Sequence, residues 1–175
     1  MTNTERDDLI DLLTKHRELF RFTVQGLSDD AARTTPTASE LSLGGLIKHV
    51  TAMEKSWADF IVNGPAERPD VDWASVDWSN PPAEVLEFQN GFRMLEHETL
   101  EGLLKDHSDA AAVTDELVRT VDLDSRHPLP EAPWFPAGAT WSARRALIHI
   151  ALETAQHAGH ADIIRETIDG QKSMG

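Results

Sequence analysis

Apolar residues recur at intervals of three and four along four long stretches of this 175-residue chain, with no sustained alternation of apolar and polar residues. Such spacing places apolar side chains on one face of an α-helix, whereas alternation would indicate a half-buried strand. The predicted helices are residues 2–27, a helix from near Ser42 to a stop at Gly64 and Pro65, a helix over residues 83–107, and a last helix from near Trp141 or Ser142. Four helices that each bury one face predict an all-α four-helix bundle.

The connections between these helices divide into ordinary and unusual ones. Residues 109–121 either extend the third helix or add a short helical turn. Two loops, 64–82 and 122–140, are rich in proline and too long for a compact bundle. Long irregular loops of this kind often border a site, so we expect them at its rim. The length suits a single domain spanning residues 1–175.

Composition excludes several classes of function. The formal net charge is −14 and no basic stripe is present, so nucleic acid is not an expected partner. No apolar run approaches the roughly 18 residues of a membrane span, and the acidic start does not resemble a signal peptide, which predicts a cytoplasmic protein without a membrane partner. The chain has no cysteine, so any thiol chemistry must use a thiol from outside.

The segment of residues 147–166 concentrates polar residues on one line. His149, Glu153, His157 and His160 fall within about 80° of one another around a helix. We predict that this stripe faces the bundle interior. The same angles place Leu152 and Ile163 beside the stripe, and Thr154 and Arg165 towards the opposite side.

A metal ion would explain an inward carboxylate, because burying an unpaired charge costs several kcal/mol. Glu153 and His157 are four residues apart and so project side by side. On the second predicted helix, His49 shares a face with apolar residues and should also point inward. His49, Glu153 and His157 would hold a divalent ion, zinc preferred and nickel as the alternative, with a coordination position left open. The ordinary alternative is a hydrogen-bonded Glu–His pair in the core.

The remaining histidines and the tryptophans receive weaker assignments. His149 and His160 are each a further ligand, a hydrogen-bonding partner of a ligand, or a residue lining the pocket. Trp57 either lines the mouth of the site or packs in the core. Trp73, Trp78 and Trp134 are further candidates for the mouth. His16, His97 and His107 are predicted on solvated helix faces, and His127 in a loop without an assigned role.

Two motifs resemble a known family. Residues 41–57, "LSLGGLIKHVTAMEKSW", and residues 149–166, "HIALETAQHAGHADIIRE", are similar to the DinB superfamily, in particular its mini-DinB branch with mycothiol-dependent enzymes. The resemblance spans about residues 9–170. It implies an up-up-down-down bundle with a metal at one end. The implied ligands are His49, Glu153 and His157. Many members have histidine at the position of Glu153, whereas the N-terminal domain of mycothiol-dependent maleylpyruvate isomerases has a His, Glu, His set as here.

The resemblance also implies a function, namely metal-dependent transfer of a mycothiol-like thiol to a small electrophile. His160 or His149 would orient the thiol or shuttle a proton, and Trp57 would contact the thiol cosubstrate. A homodimer is expected from the resemblance. Two alternatives remain open at this point: a metal-dependent hydrolase, and a non-catalytic metal-binding protein in which His149 or His160 completes the coordination.

Overall fold

The computed structural model describes residues 4–66, 76–132 and 135–173. Helix makes up 63% of the described residues and the sheet among them has two strands, so the predicted all-α class is confirmed. In the described part the elements are α1 Thr4–Phe22, α2 Asp29–Arg33, α3 Leu43–Asn63, α4 Ala83–Asn90, α5 Leu100–Thr120, β1 Arg126–Pro128, β2 Thr140–Ser142 and α6 Ala143–Asp169.

The four long helices, α1, α3, α5 and α6, form the bundle. The start of α1 lies beside the end of α5, because Arg6 Nη2 donates to the carbonyl oxygen of Val121 at 2.8 Å. The end of α1 lies beside the end of α6, since Arg165 Nη1 donates to the carbonyl oxygen of Thr23 at 2.9 Å. Hence α1 runs antiparallel to α5 and parallel to α6.

The fourth direction follows from contacts across α3 and α6. The His49 ring lies 4.9 Å from the ring of His157, and the Trp57 ring lies 4.9 Å from the ring of His149, so these helices are antiparallel. Around the bundle the order α1, α6, α3, α5 is therefore up, up, down, down. The up-up-down-down topology that the resemblance implied refers to the order along the chain, and it is wrong. Along the chain the directions are up, down, down, up.

Two apolar clusters fill the bundle. Phe20, Leu46 and Ile47 are central to one cluster, and Leu13 and Leu147 are central to the other. Each of these side chains is at most 1% exposed. Burial of one such side chain stabilises a fold by about 1.5–3 kcal/mol. The clusters therefore supply a stable bundle that does not depend on a bound ion.

The predicted third helix is wrong in its continuity. It is divided into α4, which ends at Asn90, and α5, which begins at Leu100. The new start has two caps: Thr99 Oγ1 accepts from the amide of Gly102 at 3.1 Å, and Asp29 Oδ1 accepts from the amide of Leu100 at 2.7 Å. Because these caps satisfy amides that a helix leaves unpaired, the chain begins a new helix there. At its other end α5 continues to Thr120, as the extended interpretation expected.

The loops contain more regular structure than predicted. The connection between α1 and α3 includes the short helix α2. The second long loop contains β1 and leads into β2, where His127 pairs with Trp141. Of the first long loop, residues 64–66 and 76–82 are described. No helix in the described ranges is long and apolar enough to cross a membrane.

Candidate metal centre

His49 on α3 and the pair Glu153 and His157 on α6 come together where the two helices pack. Each side chain offers one ligand atom, and these atoms all lie within 4.8 Å of one another. Within the described part of the chain, these three residues are the one cluster of at least three histidines and acidic residues that could hold a metal ion. The sequence prediction that these three residues converge agrees with this geometry.

Local packing fixes the position of His49. The start of α3 is capped by Ser42, whose Oγ accepts from the amide of Gly45 at 3.2 Å. A Cβ on Gly45 would lie 2.2 Å from the carbonyl oxygen of Phe92, so the absence of a side chain lets the turn after α4 approach α3 closely. Phe92 then stacks on His49, with ring centroids 4.3 Å apart and planes inclined by 22°. This contact restricts the orientation of the His49 ring.

On α6, spacing by single helical turns places the acidic ligand between two histidines. Glu153 Oε2 lies 3.8 Å from His157 Nε2, and Glu153 Oε1 lies 3.6 Å from His149 Nε2. His160 lies on the other side of His157, with its Nδ1 3.4 Å from His157 Nδ1. His149 and His160 thus contact the two α6 residues of the triad from opposite ends of the stripe.

Burial affects the protonation of the histidines. It lowers the pKa of His49, although nearby Glu153 acts in the opposite direction. It also lowers the pKa of His157, and the positive charge that His49 would carry lowers it further, while Glu153 again opposes the change. Both imidazoles are therefore neutral at pH 7, which leaves a lone pair on each ring for a metal ion.

The donor set fits a divalent ion. With bonds of about 2.1 Å, a tetrahedral ion needs ligand atoms about 3.4 Å apart. The observed separations, at most 4.8 Å, exceed this by up to about 1.4 Å, which side-chain rotations would close. Two imidazoles and one carboxylate are a donor set suited to zinc or nickel, and three ligands leave at least one position for another molecule.

The stripe does not face the bundle interior, and this prediction is wrong. His149, Glu153 and His157 keep 23%, 28% and 14% of their side-chain surface exposed. Buried residues of α6 include Leu147, Ile150, Thr154, Ala158, Ala161 and Arg165. Their centre lies roughly 100° around the helix from the stripe. The metal centre is consequently at the edge of the α3–α6 contact, where a ligand has access.

Flanking residues show the same displacement. Leu152 and Ile163 are 56% and 62% exposed, whereas Thr154 and Arg165, predicted on the opposite side, are buried. Both buried polar residues have partners. Thr154 Oγ1 donates to the carbonyl oxygen of Ile150 at 2.8 Å, and Arg165 bonds to the end of α1 and to Asp169. Polar residues with such partners are tolerated in a core.

Aromatic residues form a wall at one end of the site. Trp57 stacks on Trp141 with ring centroids 4.8 Å apart, and the His149 ring packs edge-on to both. Trp57 was predicted from the sequence to line the mouth of the site or pack in the core, whereas Trp141 and Phe92 were not predicted near the site. Their signal was weak, since each reads as one more apolar residue of a helix or loop. Trp78 is 61% exposed, and Trp73 and Trp134 lie outside the described residues.

A second polar group, missed by sequence analysis, lies in the core. Arg17 Nη2 donates to Glu54 Oε1 at 2.5 Å, and Arg17 Nη1 donates to Asp115 Oδ1 at 2.8 Å. His107 is fully buried, so its predicted place on a solvated face is wrong. This group lies in the packed interface of α1, α3 and α5, and is not part of the metal centre.

Comparisons with known proteins agree with this picture. The chain is similar to a conserved protein from Enterococcus faecalis known from a crystal structure, with a TM-score of 0.66 over 98% of this chain and 99% of that one. At 16% identity this likeness establishes the fold alone. A comparison with the curated proteins gives no match. The model of one family, mycothiol-S-transferase, matches residues 8–170. This chain, whose motifs also resemble the DinB superfamily, belongs to the mycothiol-S-transferase family.

Proposed function

We propose that this protein is a metal-dependent thiol S-transferase that joins a low-molecular-weight thiol of the mycothiol type to a small electrophile. The observation that carries the proposal is the convergence of His49, Glu153 and His157 within 4.8 Å, at an accessible edge of the bundle. Membership of the mycothiol-S-transferase family supports the thiol, and the absence of cysteine from the chain means that the thiol must come from outside.

In this proposal the three ligands hold one divalent ion, zinc preferred or nickel. Such an ion supplies positive charge that lowers the pKa of a thiol beside it, so that the thiol ionises at neutral pH. In the reaction the thiol loses its proton and its sulfur forms a bond to the electrophilic carbon. The bond from that carbon to the leaving group breaks, and the leaving group departs with the electron pair.

The chain's own residues would position these reactants. His160 contacts His157 and would hold its ring in the orientation that binds the ion, as hydrogen-bonding partners of metal ligands do. His149 lies between Glu153 and the Trp57–Trp141 pair. This place suits a group that orients the thiol or accepts its proton. We assign contact with the thiol cosubstrate to Trp57, whose ring borders the site.

The test of the site uses three variants. His49→Ala and His157→Ala should each lower zinc affinity about a hundredfold or more, since each removes one of three ligands. His16→Ala, on α1 away from the site, should leave affinity unchanged. Zinc affinity is measured by chelator competition, and far-ultraviolet circular dichroism should remain the same in all four proteins because the core supplies the stability. Equal affinities in all four proteins would refute the site.

The resemblance also leads us to propose a homodimer, in the cytoplasm. The exposed apolar residues Leu152 and Ile163 on α6 offer a face for such a contact. Light scattering should then give twice the chain mass of 19.4 kDa. A mass near that of one chain at micromolar concentration would remove the dimer and leave the metal centre unaffected.

A further inference from the structure

Arg145 is an exposed cation without an acidic partner in the described ranges. Its neighbour Arg144 differs, because it forms ion pairs with Glu5 and Asp124. The chain has 30 acidic and 16 basic residues, so acidic partners are abundant. The first turn of α6 contains none. A cation in a first turn opposes the helix macrodipole. Arg145 thus lies at an unfavourable position for a cation, with an aromatic ring and no acid beside it.

Arg145 continues the line of residues that forms the metal centre. It precedes His149 by four residues and Glu153 by eight, so the three side chains share one face of α6. The distance along the axis from Arg145 to Glu153 is about 12 Å.

An aromatic surface connects the arginine to the metal centre. The Arg145 Cζ lies 4.3 Å from the centroid of the Trp141 ring. The rings of Trp141 and His149 are 5.0 Å apart, and Trp57 stacks on Trp141. Aromatic rings therefore lie between the guanidinium and Glu153.

We propose that Arg145 and Trp141 form the electrophile subsite, beside Trp57, which would contact the thiol. The electrophile is then a flat aromatic carboxylic acid that carries a leaving group. This inference rests on the proposed thiol transfer. The guanidinium would accept the carboxylate through paired hydrogen bonds, for which its planar geometry is suited. The aromatic wall would hold the flat body, and the electrophilic carbon at the far end would lie near the three ligands.

The overall charge of −14 does not oppose this assignment. Charges beyond about 8 Å are largely screened at physiological ionic strength, whereas Arg145 would touch the carboxylate directly. Among the described residues that contact this surface, Glu153 is the acid, and its charge would be offset by a bound divalent ion. The local field therefore favours an anion at the Arg145 end.

The reaction test uses zinc-loaded protein, mycothiol and two electrophiles that differ in charge, 4-(chloromethyl)benzoate and 4-(chloromethyl)benzamide. Sulfur bonds to the benzylic carbon, the carbon–chlorine bond breaks, chloride leaves with the electron pair, and the thiol proton passes to buffer. We expect the benzoate to have the lower KM, and Arg145→Gln to remove a preference of roughly tenfold or more. Arg145→Lys should retain part of it. Arg119→Gln, which alters an exposed arginine on α5, should retain all of it.

A binding test separates this inference from the proposed function. The unreactive 4-methylbenzoate and 4-methylbenzamide are titrated into the same zinc-loaded proteins, with tryptophan fluorescence as the readout. If the wild-type protein binds the benzoate more tightly than the benzamide and Arg145→Gln loses this preference, the subsite is supported. Failure to turn over either chloromethyl compound would refute thiol transfer and leave the subsite standing. Equal binding of both compounds, or a benzoate preference that survives in Arg145→Gln because the ion itself binds carboxylate, overturns the subsite.

Discussion

His107 occupies an unfavourable position for an imidazole. It is fully buried on α5, its ring packs edge-on to Phe20, and neither ring nitrogen has a hydrogen-bond partner in the structure. Burial, followed by the charges of Arg21 and Arg17, lowers its pKa to about 4. The side chain is therefore neutral in the folded protein over most of the acidic range.

This shift gives stability a pH dependence. The ordinary pKa of 6.5 applies in the unfolded chain and about 4 in the folded one. As pH falls from 6.5 to 4, His107 binds a proton in the unfolded state but not in the folded state. The free energy of unfolding therefore decreases by about 1.4 kcal/mol per pH unit. Above pH 6.5 both states are neutral and the contribution is absent.

We predict that His107→Leu reduces this loss of stability between pH 6.5 and 4, by about 3 kcal/mol over the range. The measurement is the free energy of unfolding by urea at several pH values. His97→Gln, at an exposed position, is the control and should follow the wild-type curve. The result is the difference between the His107→Leu curve and the wild-type curve. Parallel curves for His107→Leu and wild type would contradict the assignment.

The sequence contained a signal for His107 that charged neighbours obscured. Buried residues of α5 follow the helical repeat Leu103, His107, Ala110, Thr114. His107 lies on this apolar line, but the adjacent Lys105 and Asp106 favoured a solvated interpretation. The Arg17–Glu54 pair had no such signal, because it joins residues on two helices that are brought together by packing.

At the scale of elements, the close approach of the Phe92 turn to α3 connects the fold to the site. Gly45→Ala would place a methyl group 2.2 Å from the Phe92 carbonyl oxygen, so the turn must move and Phe92 must shift from His49. We predict a loss of stability of about 1–3 kcal/mol and a zinc affinity roughly tenfold lower.

The matched control is Gly159→Ala on α6, beside the metal ligands in sequence. A Cβ there would meet nothing within 4 Å. This substitution should leave zinc affinity unchanged and stabilise the protein by about 0.5–1 kcal/mol, since alanine is the better helix former. Zinc affinity that falls in both variants, or in neither, would show that the Phe92 contact does not orient His49.

Helix existence was predictable because the apolar repeat is local information, and the caps Ser42 and Ser142 stand at the starts of α3 and α6. The break before α5 was not predictable in this way. Its cap from Asp29 comes from a residue 71 positions away in sequence, and the apolar repeat continues through the break.

At the scale of the whole molecule, the rotation of α6 depends on two neighbours, α1 and α3. A helical repeat in one segment cannot reveal it, since Thr154 and Arg165 are buried with partners and Leu152 and Ile163 are exposed. The convergence of His49, Glu153 and His157 was nevertheless predictable. The i,i+4 spacing is local, and so is the apolar face that His49 shares on α3; the family resemblance then implied the same three ligands. The bundle is thus a core filled by two apolar clusters, with the candidate metal centre along one edge.

The most direct test of the account is a zinc titration of metal-free protein with mycothiol and 4-(chloromethyl)benzamide present, in which mass spectrometry measures the thioether product. We predict that the rate rises in proportion to zinc and reaches its maximum at about one ion per chain. Protein with His49→Ala should give no such rise over the same range. Product formed equally fast without zinc, or fully loaded protein that forms no product above the uncatalysed rate, would contradict a metal-dependent thiol transferase.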